Sequence, residues 1–260
     1  MRIALGLEYD GTDFVGWQAQ RDARSVQQTL SEAISTVADH PVAVAGSGRT
    51  DAGVHALQQV AHFDTESRRE DHQWLLGINS NLPSDIAVQW VRVVDPSFDA
   101  RRSALWRRYR YLVMQRRVRS ALMNRRTWWL REDLDCGAMS AASTCWLGEN
   151  DFSAFRAAGC QSSTPMRRLL AVGISERDSL ISFEFTANAF LQHMVRNFIG
   201  VLVKIGTGGA SPAWGADVLR SCDRTRGGVA APPQGLTLME VGYPAAFDIP
   251  TPHDAWSGLL

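Results

Sequence analysis

The chain has 260 residues, of which 45% are hydrophobic and 21% are charged, and its formal net charge at pH 7 is zero. This length and composition predict a globular protein with one large or two small domains and exclude a chain dominated by disorder. The four cysteines are scattered without a CxxC pair, which excludes a disulfide scaffold and favours a reducing compartment. The most apolar run, residues 198–205, is far shorter than the ~18 residues that cross a bilayer, and the N-terminus has no signal-peptide core. We therefore expect a cytoplasmic protein with no membrane span.

The first 100 residues predict a mixture of strands and helices. Apolar residues alternate over residues 3–9, which predicts a strand, and residues 10–13 follow as a turn. Ser25 and Gln28 have the spacing of a reciprocal capping box, and the apolar residues after them recur at helical spacing up to about Asp39. Further strands are predicted at residues 42–45, 59–63 and 86–94.

The composition changes around residues 95–103, where Pro96 precedes a run of arginines, and we place a domain boundary there. The predicted domains are residues 1–100, residues 101–245 and an irregular tail over residues 246–260. The second domain resembles the first in its succession of strands and helices. Its predicted elements are strands at 109–114, 169–174 and 180–185, helices at 136–146 and 189–205, and a long polar loop at 150–167.

Basic residues are distributed unevenly along the chain. Arginine supplies 26 of the 27 basic side chains, and eleven arginines lie between Arg101 and Arg131 without a single Asp or Glu. Tryptophan and tyrosine are interleaved with them. Guanidinium groups and aromatic rings together suit phosphate contacts and base stacking, which favours a nucleic-acid partner. The alternative is a solvated strand pair whose counter-charges come from elsewhere in the fold.

The most informative segment is the glycine-rich stretch GSGRTDAG at residues 46–53. Glycines on both sides of Asp51 permit tight turns and the close approach of a bulky ligand. With Arg49 two residues before it, Asp51 has the surroundings of a base or a nucleophile in a pocket. The alternative is a carboxylate that caps a turn. The spacing matches neither dinucleotide-binding glycines nor a P-loop, and His55 and His62 lack the spacing of familiar zinc sites, so we expect no cofactor and no metal.

Several motifs in chain order carry a specific resemblance. They are YDGTDFVGWQ at 9–18, GRTDAGVHA at 48–56, NSNLPSDI at 79–86, FDAR at 98–101, RRYRY at 107–111, GENDF at 148–152, NAFLQHMVRN at 188–197 and APPQGL at 231–236. Over residues 2–243 the chain resembles the tRNA pseudouridine synthase A family of cofactor-free isomerases. The resemblance implies an α+β protein with two ferredoxin-like halves, mainly antiparallel sheets and a central active-site cleft. It also implies a homodimer that modifies uridines at positions 38, 39 and 40 in the anticodon stem-loop of tRNA.

The same resemblance implies roles for individual residues. Asp51 attacks the anomeric carbon of the target uridine or removes the ribose 2′ proton, Arg196 balances its charge, and Tyr109 stacks on the base. The target nucleotide must be flipped out of the stem, and Arg49 holds it beside the vacated stack. Leu236 lies near the base. Contacts to tRNA phosphates are expected from Arg101, Arg107, Arg108 and Arg110.

Two other functions stay open from the sequence. One is a tRNA-binding module on the same fold that lacks catalysis. The other is a small-molecule enzyme in which the loop at residues 46–53 holds a nucleotide phosphate.

Overall fold

A computed structural model describes residues 1–251 of the chain. Within that range the strands are β1 (Arg2–Tyr9), β2 (Ala45–Gly46), β3 (His55–Asp64), β4 (Ile86–Val94), β5 (Trp106–Gln115), β6 (Trp128–Leu130), β7 (Gly148–Asp151), β8 (Met166–Arg177), β9 (Leu180–Ala187) and β10 (Leu236–Gly242). The α-helices of the same range are α1 (Val26–Ala38), α2 (Asp71–Asn81), α3 (Cys136–Ser143), α4 (Met194–Gly206) and α5 (Ala213–Ser221). The mixture confirms the predicted α+β class.

The described chain divides into two compact units, one formed by Met1–Leu105 with residues 238–251 and the other by Trp106–Thr237. In the first unit the strand order is β4-β1-β3, and β2 and β10 both lie beside β3. β1 pairs antiparallel with both β3 and β4. The succession β1-α1-β2-β3-α2-β4 with the spatial order β4-β1-β3-β2 is the ferredoxin-like arrangement expected for this half.

The second unit has the strand order β5-β9-β8-β7, with β6 added parallel to β5. The other ladders of this unit are antiparallel. Its core lies between the sheet and α4, where the Phe198 ring lies 5.3 Å from Phe185 and stacks 4.7 Å from Trp146. The predicted apolar face of Ile181, Phe183 and Phe185 is confirmed, because all three side chains are fully buried.

The start of α1 differs from the expected capping box. Ser25 Oγ accepts the Gln28 backbone N–H at 3.4 Å, as expected of an N-cap. The Gln28 side chain does not reach back, because its amide donates to Glu32 one turn further along the helix at 2.9 Å. The helix ends at Ala38, and Asp39 follows in the left-handed conformation with φ 60°. The predicted extent of the helix is therefore confirmed, and the reciprocal box is wrong.

Three other predicted elements need correction. The strand expected at 42–45 is reduced to the two residues of β2. The helix expected from 189 begins only at Met194, because His193 has φ 62°, which a helix cannot include. The predicted loop at 150–167 begins inside the core, where Phe152 and Phe155 are fully buried against Phe198.

The compact units also differ from the predicted domains. The break falls between Leu105 and Trp106, and residues 238–251 belong with the first unit rather than with the second. The reason is β10, which pairs beside β3. Part of the predicted tail, residues 252–260, lies outside the described residues. No helix within residues 1–251 is long and apolar enough to cross a membrane.

Candidate active site

The loop that carries Asp51 is packed against the opening motif of the chain. Asp51 forms an isolated antiparallel bridge with Gly16, and the Trp17 backbone N–H donates to Thr50 O at 3.0 Å. Gly16 has φ +105°, and a Cβ on it would lie 2.5 Å from Thr50 O. A Cβ on Gly11 would lie only 1.9 Å from Val54 O. Both glycines are therefore required by the close approach of the two backbones.

Two side-chain contacts hold the same loop in place. The Tyr9 hydroxyl, at the end of β1, shares a buried 2.8 Å hydrogen bond with Thr50 Oγ1, next to Asp51 in sequence. His55 is buried, and its Nδ1 accepts the Gly11 backbone N–H at 3.1 Å. These contacts hold the loop at both ends, since Thr50 precedes Asp51 and His55 begins β3.

Two of the predicted functional residues of this unit, Arg49 and Asp51, stand two residues apart in the loop. Arg49 is exposed, and its Nε donates to Gln18 Oε1 at 3.1 Å. Asp51 is partly buried, whereas Thr50 between them is buried. The loop therefore presents a guanidinium and a carboxylate two residues apart at the surface of the first unit.

Tyr109 lies on β5 of the second unit, and its side chain points to the sheet face that α4 covers. Its partner in the ladder is Phe185, and its ring meets Phe190 edge to face at 5.0 Å and 84°. Tyr109 is 9% exposed, so its ring is packed on most of its surface. Phe190 stands in the segment before α4, which the sequence analysis had assigned to the helix.

Arg196 lies in the first turn of α4 and is joined to the segment that leads to Leu236. Its Nε donates to Ala231 O at 2.7 Å, and its own carbonyl accepts the Ala231 N–H at 3.0 Å. Tyr111 reaches the same segment, since its hydroxyl donates to Pro232 O at 2.8 Å. Burial raises the pKa of the Tyr111 phenol, and the positive charge of Arg196 opposes this shift. The structure thus brings Arg196 and Tyr111 to the same segment, which precedes β10.

Asn197 illustrates the difference between a polar helix face and a functional one. It shares a polar face with Arg196 in the sequence, yet it is buried, with an exposure of only 3%. Its amide donates to Phe155 O at 2.7 Å, and its Oδ1 accepts Arg224 Nη2 at 2.9 Å. Asn197 therefore joins α4 to two neighbouring segments of the second unit.

The four arginines expected to contact phosphate are placed in different surroundings. Arg101 is exposed. Arg107 is 9% exposed, and its Nη1 donates to Asn188 O at 2.9 Å. Arg110 is equally buried and donates to Glu184 Oε1 through Nε at 2.9 Å, while Arg108 lies 3.7 Å from the other oxygen of the same carboxylate. Glu184, on β9, supplies a counter-charge from outside the arginine-rich residues 101–131.

No group of three or more His, Cys, Asp or Glu side chains is placed to hold a metal ion in the described part of the chain, residues 1–251. The chemistry that the two units offer consists of a loop carboxylate, exposed and half-buried guanidinium groups, and a tyrosine ring.

Comparison with known proteins gives this arrangement its context. Residues 7–101 and 142–244 match the sequence profile of the family described as tRNA pseudouridine synthase. The tRNA pseudouridine synthase A of Coxiella burnetii strain RSA 331 is 49% identical over 249 residues, which cover 96% of this chain and 95% of that protein. The proteins of the same name from Methylococcus capsulatus and Enterobacter sp. strain 638 are 50% and 47% identical, again over 96% of this chain and over 92% and 93% of their own lengths.

Matches of this extent to proteins named tRNA pseudouridine synthase A show that the chain is an enzyme. The chain belongs to the tRNA pseudouridine synthase family.

Gln18, which accepts a hydrogen bond from Arg49, was not among the predicted functional residues. Gln18 stands inside the motif YDGTDFVGWQ, but glutamine carries no charge and no known catalytic pattern. The sequence signal for Gln18 is its place in that motif. That the motif packs on the loop that contains Arg49 is visible only in the structure.

Proposed function

We propose that this enzyme converts uridine to pseudouridine at positions 38, 39 and 40 in the anticodon stem-loop of tRNA. The reaction breaks the bond between C1′ and N1, turns the uracil, and joins C1′ to C5, with loss of the C5 proton and gain of a proton at N1. The family match and the ordered motifs support the reaction, and the profile match includes Arg49, Asp51 and Arg196. Tyr109 lies outside the profile match but inside the alignments that cover 96% of the chain.

Asp51 is the proposed catalytic residue. Its carboxylate either attacks C1′ or removes the 2′ proton, and in both routes positive charge that develops on the ribose is stabilised by the negative charge. The observation that carries this proposal is the fixed position of the loop. Gly11 and Gly16 leave room for its backbone, and hydrogen bonds of Tyr9 and His55 hold it in place. A carboxylate that must approach a sugar at a set distance needs a loop that is held rigidly.

The other residues have supporting roles in this proposal. Arg49 is exposed beside Asp51, where it holds the flipped nucleotide beside the vacated stack. Arg196 balances the charge of Asp51, Tyr109 stacks on the uracil, and Leu236 lies against the base. Arg196 is bonded to Ala231, in the short segment that leads to Leu236, and this supports a shared task for Arg196 and Leu236.

Binding of tRNA depends in this proposal on the arginines. Arg101 and Arg108 offer accessible charge, whereas a phosphate contact by Arg107 or Arg110 would use the small exposed part of each side chain. Three adjacent target positions favour recognition of tRNA shape over base sequence. We further propose that the enzyme acts as a homodimer in the cytoplasm.

The decisive experiment measures tritium release from tRNA labelled at C5 of uridine, with the modified positions mapped. Asp51→Asn should abolish release and leave the Kd for tRNA within about twofold, since one uncharged amide replaces one carboxylate of the same shape. Asp39→Asn is the matched control: it makes the same change in the same unit, and Asn fits the left-handed position after α1 as well as Asp does. Equal loss of binding and release in Asp51→Asn would contradict the catalytic role.

The two alternatives have distinct outcomes in the same assays. A binding module without catalysis would bind tRNA with a steep salt dependence but release no tritium from the wild-type chain. A small-molecule enzyme would show neither release nor salt-dependent affinity for tRNA.

A further inference from the structure

Two glutamine side chains connect Arg49 to the backbone before β2. Arg49 Nε donates to Gln18 Oε1 at 3.1 Å, and Gln18 Nε2 donates to Gln27 Oε1 at 2.8 Å. Gln27 Nε2 in turn donates to Val44 O at 2.8 Å. The chain of three hydrogen bonds runs from an exposed guanidinium to a fixed carbonyl, and all of it lies within the first unit.

The donor and acceptor groups of these residues fix the direction of the three hydrogen bonds. A guanidinium only donates, so the Gln18 oxygen must face Arg49 and its NH2 group must face away. Gln27 Oε1 accepts two donors, Gln18 Nε2 and the Ala19 backbone N–H at 3.0 Å. A flipped Gln27 amide would place its NH2 group against both of these donors and its oxygen against Val44 O. Both amides therefore have a single satisfactory orientation.

Gln27 is itself held in place by the backbone. Its N–H donates to Trp17 O at 2.9 Å, and it stands in the first turn of α1 directly after Val26, whose N–H donates to Gly16 O at 3.1 Å. This chain of hydrogen bonds thus connects a rigid helix terminus to the exposed side chain of Arg49.

We propose that Gln18 is a positioning residue for Arg49 and that Gln27 holds Gln18 in the required orientation. This inference rests on the role of Arg49 given under the proposed function. An exposed arginine loses rotamer entropy when it is confined to one geometry. A hydrogen bond at Nε fixes the plane of the guanidinium and hence the direction of both Nη groups before tRNA arrives, so that less ordering remains for the step in which the nucleotide is flipped.

The test uses single-turnover pseudouridine formation and tRNA affinity in the full-length enzyme. Gln18→Met keeps the length of the side chain but removes the acceptor, and we expect the single-turnover rate to fall about tenfold, as for one hydrogen bond to a charged group, with the Kd for tRNA within about twofold. Gln18→Glu keeps an acceptor for Arg49 Nε but cannot donate to Gln27, so its rate should lie between those of Gln18→Met and the wild type. Gln28→Met is the matched control, because Gln28 is the neighbouring glutamine on α1 and bonds only Glu32 through its side chain in the contacts described above.

A double-mutant cycle separates positioning of Arg49 from a general structural role. In the Arg49→Ala background, Gln18→Met should have no further effect on rate, since the group that it positions is gone. A tenfold loss that persists in that background would overturn the proposal, and so would a wild-type rate in Gln18→Met alone. Failure of the proposed function looks different: either the wild type forms no pseudouridine in tRNA, or Arg49→Ala alone keeps the wild-type rate.

Discussion

Replacement of Gly16 by alanine tests how the Asp51 loop is held in place. Gly16 has φ +105°, and the added Cβ would lie 2.5 Å from Thr50 O and 3.0 Å from the carbonyl carbon of Asp51. Both contacts are with backbone atoms, which cannot turn aside as a flexible side chain can. The substitution therefore acts on the loop itself, and any relief requires Thr50 and Asp51 to move.

The expected loss of stability is the sum of two costs, one for a side chain at a positive φ and one for the short contact with Thr50 O. A side chain in this region of φ costs about 1–3 kcal/mol. Ordinary contact begins at 3.4 Å, so Thr50 O must retreat by about 0.9 Å from 2.5 Å, and overpacking of this kind costs about 1–3 kcal/mol. We expect the free energy of unfolding to fall by about 2–6 kcal/mol, a large part of the ~5–15 kcal/mol typical of a folded chain. Because a misplacement near 1 Å costs about 100-fold in rate, pseudouridine formation should fall by a similar factor.

Urea denaturation followed by circular dichroism measures the stability, and single-turnover assays at a temperature where the variant is folded measure the rate. Gly48→Ala is the control for stability, since a Cβ at Gly48 meets nothing within 4 Å. Its free energy of unfolding should change by no more than about 0.5 kcal/mol. If Gly16→Ala were as stable and as active as the wild type, the argument that backbone contact fixes the loop would be refuted.

Three further predictions concern stability and pH. Phe198→Ala should lower the free energy of unfolding by about 3–5 kcal/mol in urea denaturation, because the ring lies at the centre of the aromatic core of the second unit; a loss under about 1 kcal/mol would contradict this. Glu184→Ala should cost about 1–3 kcal/mol by leaving the buried Arg110 guanidinium without its carboxylate, and Arg110→Met in the same chain should recover part of the loss; an equal loss in the double variant would contradict the pairing. Burial lowers the pKa of His62 below its ordinary 6.5, and its Nδ1 accepts the Ala100 N–H, so the unfolded chain binds a proton where the folded chain does not. The free energy of unfolding should therefore fall as the pH drops from 6.5 toward the folded-state pKa, and His62→Gln should flatten this slope in denaturation curves measured between pH 7 and pH 5.

Elements with a strong local pattern could be predicted from the sequence. Alternation gave β1 and β9, and helical spacing gave α1 to within about one residue of its end. α2 was missed because only Trp74 and Ile78 of its eleven residues are buried, which leaves no apolar stripe to detect. The start of α4 was misjudged because the left-handed conformation of His193 has no signature in residues that are otherwise compatible with a helix.

The site shows the same division between local and long-range information. The loop around Asp51 stands out in sequence because its glycines and charged residues are adjacent. The carboxylate that pairs with Arg110 comes from β9, 74 residues away, and only the strand register brings it there. The need for glycine at positions 11 and 16 likewise depends on which backbone passes across them, a fact that a single sequence does not contain.

The bond between Arg196 and Ala231 limits which substitutions can probe the charge at position 196. Lysine would preserve the positive charge, but it has no nitrogen at the Nε position to reach Ala231 O, which Arg196 contacts at 2.7 Å. A charge-conserving exchange would thus remove the side-chain bond to Ala231 O while keeping the backbone bond from Ala231 N–H to Arg196 O and the net charge. Arginine at this position therefore has a structural contact besides the charge that we propose it supplies. With lysine, the segment before β10 would depend on the two remaining bonds described above, from Ala231 N–H to Arg196 O and from Tyr111 to Pro232 O.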